Sequence, residues 1–208
     1  MHVLMINGSP NEAGCTFTAL TEIAEELERH GITSEIVQIG KQGIHGCIGC
    51  GKCRARNNRC IFEDDILNDT LEKAKTADGF IFSSPVYFAS ANGSMISLMD
   101  RLFYAGKSLF RMKPGACVVS ARRAGTTSAY DQLNKYIGLS EMIMVPSPYW
   151  NMVHGNTPEE VRQDKEGLWI MRTLGQNMAW LLKTLQSARQ NGISLPEGLP
   201  AVKTNYIR

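Results

Sequence analysis

The sequence has few of the features that mark exported, membrane-spanning or nucleic-acid-binding proteins. Its 22 lysines and arginines nearly balance 20 aspartates and glutamates, and the net charge of +2 is too small to attract nucleic acid or an anionic membrane. No segment approaches the roughly 18 uninterrupted apolar residues of a membrane-spanning helix. The N-terminus, MHVLMINGSP, lacks the basic start and long apolar stretch of a signal peptide. We therefore expect a soluble, cytoplasmic protein with no nucleic-acid and no membrane partner.

Cysteine is sparse except in one segment. Of the six cysteines, four fall within 14 residues: Cys47, Cys50, Cys53 and Cys60. In a chain of this length without an export signal, such crowding indicates metal or redox chemistry before it indicates a disulfide framework. Residues 47–60, the cysteine loop, are therefore a candidate functional segment.

Short apolar runs alternate with segments of helical periodicity along the chain. The runs predict five strands, at residues 3–6, 35–39, 79–83, 116–120 and 141–145. The periodic segments predict helices at residues 16–29, 64–78, 94–104, 128–136 and 158–189. This alternation favours a doubly wound α/β fold, with one parallel sheet and helices on both faces. The chain has no internal repeat or linker, so we expect a single domain over residues 1–208, with a helical C-terminal extension from about residue 158.

The loop after the first strand, residues 7–18, is rich in hydroxyl groups and small residues. A loop that leads into a helix N-terminus presents free backbone N–H groups and the positive end of the helix dipole, so added hydroxyl donors favour phosphate binding. Ser9, Thr16 and Thr18 are the candidate donors. A hydrophilic turn with Thr16 as the N-cap of the helix explains the same composition equally well. The segment has no P-loop lysine, which argues against a nucleoside triphosphate.

The loop after the third strand, residues 84–93, contains two adjacent aromatic residues, Tyr87 and Phe88. In a doubly wound sheet ligands bind outside the carboxyl ends of the strands, where a planar ring can lie against such side chains. The alternative is that both rings cover the core. A phosphate-binding loop and a ring-binding loop together are the two parts that a site for flavin mononucleotide (FMN) requires.

Four sequence segments carry a family resemblance: GSPNEAGCTFTAL; CIGCGKC with a later Cys and Asp-Asp; SSPVYFASANGSM with MDRLF; and SARRAGTT. In this combination the chain resembles the NADPH-dependent FMN reductase branch of the flavodoxin-like superfamily over nearly its whole length. The most specific element is SPVYF followed by the pair Asp100-Arg101. The resemblance implies a flavodoxin-like sheet of strand order 2-1-3-4-5 and noncovalently bound FMN. It also implies a homodimer or homotetramer in which a neighbouring subunit helps to cover the flavin.

The resemblance further implies which residues bind FMN. The phosphate is expected near residues 9–18, and the isoalloxazine ring is expected along residues 85–89, with residues 120–125 on its opposite side. The implied FMN-binding residues are Ser9, Asn11, Cys15, Thr16, Phe17, Thr18, Pro85, Val86, Tyr87, Phe88, Ala89, Ser120, Arg122, Arg123 and Gly125.

The last of these loops departs from the family pattern. Where many members carry a glycine-rich stretch, this chain has Arg122 and Arg123. A cation beside the pyrimidine end of a flavin stabilises the anionic reduced form, and a guanidinium also binds the phosphate of a nicotinamide nucleotide. The alternative, for at least one of the two, is a solvated loop arginine. Gly125 is expected to permit close backbone approach. No catalytic acid or base is assigned, because hydride transfer to a flavin needs none.

The spacing Cys47-x2-Cys50-x2-Cys53-x6-Cys60 resembles the compact motif of iron-sulfur flavoproteins, a related flavodoxin-like group whose loop carries a [4Fe–4S] cluster. Short, glycine-interrupted spacing suits a cubane, whereas structural zinc usually joins two separated knuckles. Many FMN reductase relatives keep a similar loop without a cluster, so the alternative is free thiols, or one oxidised pair, that cover the flavin. Three arginines between the last two cysteines are candidates to offset the charge of a cluster: Arg54, Arg56 and Arg59.

Two functions are consistent with these sites. The first is an NAD(P)H-dependent FMN reductase, which passes electrons from NADPH or NADH through FMN to a small acceptor such as a quinone, an azo or nitro compound, or free flavin. The second is an electron carrier in which FMN and a [4Fe–4S] cluster exchange electrons with a ferredoxin-like protein. Turnover with NADPH and menadione would separate the enzyme from the carrier.

Overall fold

Strands and helices alternate in the computed structural model, which describes residues 1–204 and 206. Within these residues seven strands form one sheet: β1 (His2–Asn7), β2 (Thr33–Gln38), β3 (Gly79–Tyr87), β4 (Ser90–Ala91), β5 (Pro114–Ala121), β6 (Ile143–Met144) and β7 (Met152–His154). The α-helices are α1 (Cys15–Arg29), α2 (Leu67–Thr76), α3 (Gly93–Phe110), α4 (Thr126–Leu139), α5 (Pro158–Gln163) and α6 (Lys165–Gln190). None of these helices in the described part of the chain combines the length and the apolar character needed to cross a membrane.

The main strands form the parallel sheet that the sequence predicts. Their order is β2-β1-β3-β5-β6, which is order 2-1-3-4-5 when the main strands are counted along the chain. Side chains of successive strand residues point to opposite faces. Phe80 and Phe82 therefore pack against α2, α3 and α4, while Ile81 packs against α1 and α6. The prediction of a flavodoxin-like α/β fold with helices on both faces is confirmed.

The fifth strand is shorter than predicted and is split in two. The sequence predicts one strand at residues 141–145, but β6 contains only two residues, and β7 pairs with the far end of β5, where Met152 lies beside Val119. Pro146 and Pro148 follow β6 and have no N–H to donate to β5, so the hydrogen-bond ladder is interrupted there. The chain rejoins the sheet after the prolines.

A short hairpin that the hydrophobic pattern does not predict follows β3. In it β4 pairs antiparallel with the end of β3, and Tyr87 lies opposite Ser90. The two turn residues, Phe88 and Ala89, have positive φ angles of 50° and 59°. Turns of this kind normally select Asn or Gly, so neither residue signals the turn in the sequence.

Two helices differ from their predicted limits because of specific contacts. α2 begins at Leu67 instead of residue 64, and its first-turn N–H at Leu67 donates to Oδ1 of Asp65 at 3.1 Å. α3 continues past residue 104 to Phe110 and departs from helical geometry only at Gly106. The longer α3 extends the apolar face that covers β3.

The C-terminal helical segment predicted from residue 158 is interrupted once. Asp164 lies between α5 and α6 in a non-helical conformation, and its carboxylate accepts N–H bonds from His154 at 2.7 Å and Gly167 at 2.9 Å. The first of these bonds ties the segment to β7. α6 then packs along α1 and covers one face of the sheet.

Gly8→Ala tests the close contact between the end of β1 and the end of β3. A Cβ atom at residue 8 would lie 2.3 Å from the carbonyl oxygen of Ser83 and 2.9 Å from Cγ of Met95, so the backbone would have to move. We expect the free energy of unfolding, measured by urea denaturation of FMN-free protein, to fall by about 1–3 kcal/mol, the usual cost of overpacking.

The matched control is Gly138→Ala in α4. A Cβ atom there would meet nothing within 4 Å. Because Ala is the better helix former, this variant should gain about 0.5–1 kcal/mol of stability. If Gly8→Ala keeps the stability of the parent protein while Gly138→Ala is stabilised, the contact between residue 8 and Ser83 is looser than described.

Candidate functional site

The carboxyl ends of β1, β3 and β5 lie side by side and carry three loops, at residues 8–14, 88–89 and 122–125. All predicted FMN-binding residues lie in these loops, at the adjoining strand ends or in the first turn of α1. In sheets of this type the crevice outside the carboxyl ends is where ligands bind. The fold therefore brings the predicted residues to one edge.

The first turn of α1 presents unpaired backbone donors to this edge. Gly14 is the N-cap, in an extended conformation and without a side-chain cap, so the alternative in which Thr16 is the N-cap is wrong. No described residue accepts a hydrogen bond from the N–H groups of Cys15, Thr16 or Phe17. The first turn also contains no acidic residue. Free donors and the positive end of the helix dipole make this turn suitable for a phosphate.

Two residues that the sequence analysis missed hold the loop before α1 in shape. Oδ1 of Asn7 accepts the N–H of Ser9 at 3.1 Å, and Nδ2 of Asn7 donates to Oε1 of Gln38 at 2.5 Å. Nε2 of Gln38 donates to the carbonyl oxygen of Ser9 at 2.6 Å, and Oγ of Ser9 accepts the N–H of Asn11 at 3.1 Å. Asn7 could have been noticed as the polar end of an apolar strand, whereas nothing in the sequence marks Gln38.

The predicted hydroxyl donors differ in what they can offer an anion. Oγ1 of Thr16 and Oγ of Ser120 lie 2.8 Å apart, and both residues are buried. Because two hydroxyl groups form one hydrogen bond, one proton of this pair remains free. Thr18 instead donates its hydroxyl proton to the carbonyl oxygen of Gly14 at 3.2 Å. The Thr16–Ser120 pair is therefore the better donor, and it joins the loops after β1 and β5.

Cys15, also predicted to touch FMN, is half-buried in the first turn of α1. Its Sγ donates to the carbonyl oxygen of Gly155 at 3.6 Å. Burial raises the pKa of the Cys15 thiol, and the nearby carboxylates of Glu160 and Glu159 raise it further. Cys15 therefore stays a neutral thiol and does not repel a phosphate.

The two aromatic residues at the carboxyl end of β3 and in the turn that follows it are exposed at the site. Tyr87 is 45% exposed and Phe88 is fully exposed, so the alternative that both rings cover the core is wrong. Their hairpin is fixed from α4, because Oε1 of Gln132 accepts hydrogen bonds from Oγ of Ser90 at 2.8 Å and from the N–H of Ala91 at 3.1 Å. The two rings are available to a planar ligand.

The loop after β5 approaches this hairpin closely. Gly125 has a φ of 92°, and a Cβ atom there would lie 2.8 Å from Cα of Ala89, which confirms the expected role of this glycine. Arg122 and Arg123 are exposed, and neither forms a salt bridge with a described residue. Two unpaired guanidinium groups thus border the site.

The cysteine loop forms a second candidate site, away from these strand ends. Its four cysteines line one small pocket against α3, and all four are free thiols. Cys60 is buried, Cys53 is half-buried, and Cys47 and Cys50 are exposed. Burial raises the pKa of Cys53, and the thiols of Cys60, Cys50 and Cys47 raise it further. In the described residues no three His, Cys, Asp or Glu side chains converge as a metal site, so the thiols are gathered without being in ligand geometry.

Asp100 and Arg101, the most specific pair in the family resemblance, point to different parts of the structure. Asp100 accepts the hydroxyl proton of Tyr136 at 2.5 Å at the surface. Burial and this carboxylate raise the pKa of Tyr136 well above its usual range. Arg101 points the other way, into the pocket that the cysteines line.

Solved structures share this fold at low sequence identity. RosB with its bound intermediate 8-demethyl-8-formylriboflavin-5′-phosphate superposes with a TM-score of 0.65 at 15% identity, over 100% of this chain and 94% of that chain. A flavodoxin, WrbA-like protein from Agrobacterium tumefaciens gives a TM-score of 0.61 at 14% identity, over 88% of this chain and 96% of that chain. These likenesses establish the flavodoxin-like fold.

Sequence comparison establishes the family. An iron-sulfur flavoprotein of Methanocaldococcus jannaschii is 30% identical over 194 residues, which cover 89% of this chain and 100% of the relative. An iron-sulfur flavoprotein of Methanosarcina thermophila is 24% identical over 194 residues, covering 91% of this chain and 99% of the relative. The family model for NADPH-dependent FMN reductase matches residues 1–157. This match covers most of the chain and agrees with the sequence motifs and the arrangement of the strand-end residues. This chain therefore belongs to the NADPH-dependent FMN reductase family.

Proposed function

We propose that this FMN-dependent oxidoreductase exchanges electrons between FMN and a [4Fe–4S] cluster in the cysteine loop, with a ferredoxin-like protein as the partner of the cluster and a small molecule as acceptor. The observation that carries the proposal is the gathering of Cys47, Cys50, Cys53 and Cys60 around one pocket. The similarity to relatives named iron-sulfur flavoproteins supports it. Family membership itself accounts for FMN and for oxidoreductase chemistry.

The residues at the strand ends fit FMN. The unpaired N–H groups of Cys15, Thr16 and Phe17 would bind the phosphate, and the Thr16–Ser120 pair would add one hydroxyl proton. The exposed aromatic turn after β3 would lie along the flavin ring. When bound, FMN supplies the chemistry that joins two-electron hydride transfer to one-electron transfer. The chain supplies binding and orientation, and it needs no acid or base of its own.

The cysteine loop fits a cluster in its donors and in its backbone. Four thiolates are the usual ligands of a [4Fe–4S] cluster, which would supply one-electron transfer. Gly49 and Gly51 have φ angles of 64° and 67°, so the chain turns tightly between the first three cysteines. Cys47 and Cys50 are exposed and line the same pocket as the buried Cys60, so their thiols are accessible to incoming iron.

A reduced nicotinamide is the second candidate electron donor, and the two arginines after β5 favour it. Arg122 and Arg123 are exposed beside the FMN site, where a guanidinium would bind a nucleotide phosphate. In that reaction NADPH or NADH and the acceptor would use the same exposed flavin face in turn, which gives ping-pong kinetics.

We also propose that the protein forms a homodimer or homotetramer. Trp169 and Trp180 on α6 are 48% and 68% exposed and lie 11 residues apart, which places them on the same side of the helix. Exposed aromatic side chains aligned on one helix support self-association.

The cluster is tested by iron analysis of protein purified without oxygen. The parent protein should contain about four iron atoms per chain and absorb broadly across the flavin bands. Cys60→Ser should lose the iron and the broad absorbance but keep FMN, because the FMN-binding loops lie elsewhere in the fold. Cys117→Ala in β5, a buried cysteine outside the loop, is the control and should keep both. Absence of iron from the parent protein would refute the cluster, and loss of FMN from folded Cys60→Ser would put the cysteine loop in the FMN site.

The phosphate site is tested with the double variant Thr16→Val/Ser120→Ala. Removing both hydroxyl groups leaves an apolar pair of similar shape, so the fold should be little affected. FMN affinity should fall by about 1.5–3 kcal/mol, the value of a hydrogen bond to a charged group, whereas riboflavin, which lacks the phosphate, should bind as before. Thr21→Val, one turn further along α1, removes a hydroxyl bonded to the Phe17 carbonyl oxygen and serves as control. Equal losses for FMN and riboflavin would mean that the pair is only structural.

The nicotinamide donor is tested with Arg122→Ala/Arg123→Ala. We expect KM for NADPH, measured with menadione as acceptor, to rise about tenfold or more, because charge-assisted bonds to phosphate are lost. Arg162→Ala, an exposed arginine on α5, should leave KM unchanged. If the parent protein is not reduced by NADPH or NADH but is reduced through a ferredoxin-like donor, the nicotinamide candidate is rejected.

A further inference from the structure

Arg101 carries a buried positive charge directly beside the last cysteine of the loop. Its side chain is 2% exposed, and the carboxylate of Asp65, its ion-pair partner, is fully buried. Nε of Arg101 donates to Sγ of Cys60 at 3.3 Å. Nη1 donates to Asp65 and to the carbonyl oxygen of His45 at 3.2 Å, and Nη2 donates to the carbonyl oxygen of Phe62 at 3.5 Å. One guanidinium thus has four acceptors.

These acceptors come from both ends of the cysteine loop. His45 precedes the first cysteine, and Phe62 and Asp65 follow the last. Asp65 strengthens the closure, because its Oδ2 also accepts the N–H of His45 at 3.2 Å. The imidazole of His45 stacks on Phe62 with ring centroids 4.2 Å apart, and the guanidinium lies 5.2 Å from the Phe62 centroid. Arg101 therefore holds both ends of the loop against α3.

The contact with sulfur distinguishes this arrangement from a simple buried ion pair. The ion pair with Asp65 uses only Nη1 of Arg101, so it does not require Nε to point at the sulfur of Cys60. A thiol is a weak acceptor, whereas a thiolate accepts strong, charge-assisted hydrogen bonds. Of the three arginines within the loop, Arg56 pairs with Glu63 and Arg59 with Glu72, whereas Arg101 donates directly to a cysteine sulfur.

We propose that Arg101 is a positioning residue for the cluster site. It holds the sulfur of Cys60 in place through an N–H···S hydrogen bond and offsets the negative charge of that sulfur when it is a cluster ligand. It also closes the loop against α3, so that one cluster ligand is already in position when the three other cysteines bind iron. This inference rests on the proposed cluster. Lysine cannot replace arginine here, because only the planar, forked guanidinium reaches acceptors in several directions at once.

The first test uses iron-free protein, so it does not depend on the cluster. Arg101→Lys keeps the charge and a bond to Asp65 but loses the fork. Cleavage within the cysteine loop by trypsin should become about tenfold faster, because local opening of the loop is easier. Arg111→Lys, at the C-cap of α3, is the control and should be cut at the parental rate. The loop contains four trypsin sites: Lys52, Arg54, Arg56 and Arg59. Mass spectrometry of the fragments distinguishes cleavage at these sites from cleavage elsewhere in the chain.

The second test uses iron-loaded protein and measures the reduction potential of the cluster by EPR-monitored titration. Hydrogen bonds to cluster sulfurs stabilise the reduced, more negative form, so Arg101→Lys should shift the potential to a more negative value. Asn68→Ala is the matched comparison. Asn68 binds the backbone N–H of Cys60 at 2.8 Å and its carbonyl oxygen at 3.3 Å but not its sulfur, so its loss should loosen the loop and leave the potential at the parental value.

The results separate this inference from the proposed function. A parental cleavage rate for Arg101→Lys would overturn the inference, as would an equal shift of potential in Asn68→Ala and Arg101→Lys. If Arg101→Lys does not fold, Asp65→Leu/Arg101→Met removes both buried charges together and should give the same faster cleavage. If the parent protein binds no iron, the cluster proposal fails, while the cleavage rates still decide whether Arg101 holds the loop.

Discussion

The close backbone contact between the loop after β1 and the end of β3 is the constraint on which the proposed FMN site depends. The N–H of Gly8 donates to the carbonyl oxygen of Ser83 at 2.9 Å, and no space is left for a side chain at residue 8. Nδ2 of Asn92 in turn donates to the carbonyl oxygen of Gly8 at 2.7 Å. The loop after β1 and the segment that carries the aromatic hairpin are thus bonded to each other, which fixes the spacing between the proposed phosphate and ring positions.

The two candidate sites differ in how their charges are arranged. At the strand ends the positive groups lack partners. The first turn of α1 has free N–H groups and no acidic residue, and two arginines nearby form no salt bridge with a described residue. In the cysteine loop two of the four charged side chains, Arg56 and Arg59, are paired with carboxylates, and a buried arginine faces a thiol. The first arrangement favours capture of a free anion, and the second favours a group that stays bound.

Helix α3 links the two sites. Its N-cap, Asn92, bonds to Gly8 and to Ser84 at the proposed FMN site, and Arg101 lies nine residues further along the chain, in the same helix. At 1.5 Å per residue this is a separation of roughly 13 Å along the helix axis. The stretch between them is regular helix, since the departure from helical geometry comes later, at Gly106. A rigid element therefore fixes the position of the cysteine loop relative to the strand-end loops.

The sequence by itself determined the alternation of strands and helices, the parallel sheet, the hydroxyl-rich loop after the first strand and the cysteine loop, because each follows from local periodicity, turn residues or spacing. Part of the fifth strand's interruption was also readable, since Pro146 and Pro148 lack N–H donors. The left-handed turn at Phe88 and Ala89 was not readable, because neither residue favours that conformation. Only the tertiary structure decided the hydrogen bonds that shape both sites, among them Asp65 with Arg101 and Thr16 with Ser120, which join residues 36 and 104 positions apart. Such pairs form when packing brings distant segments together, and no local pattern in the chain records them.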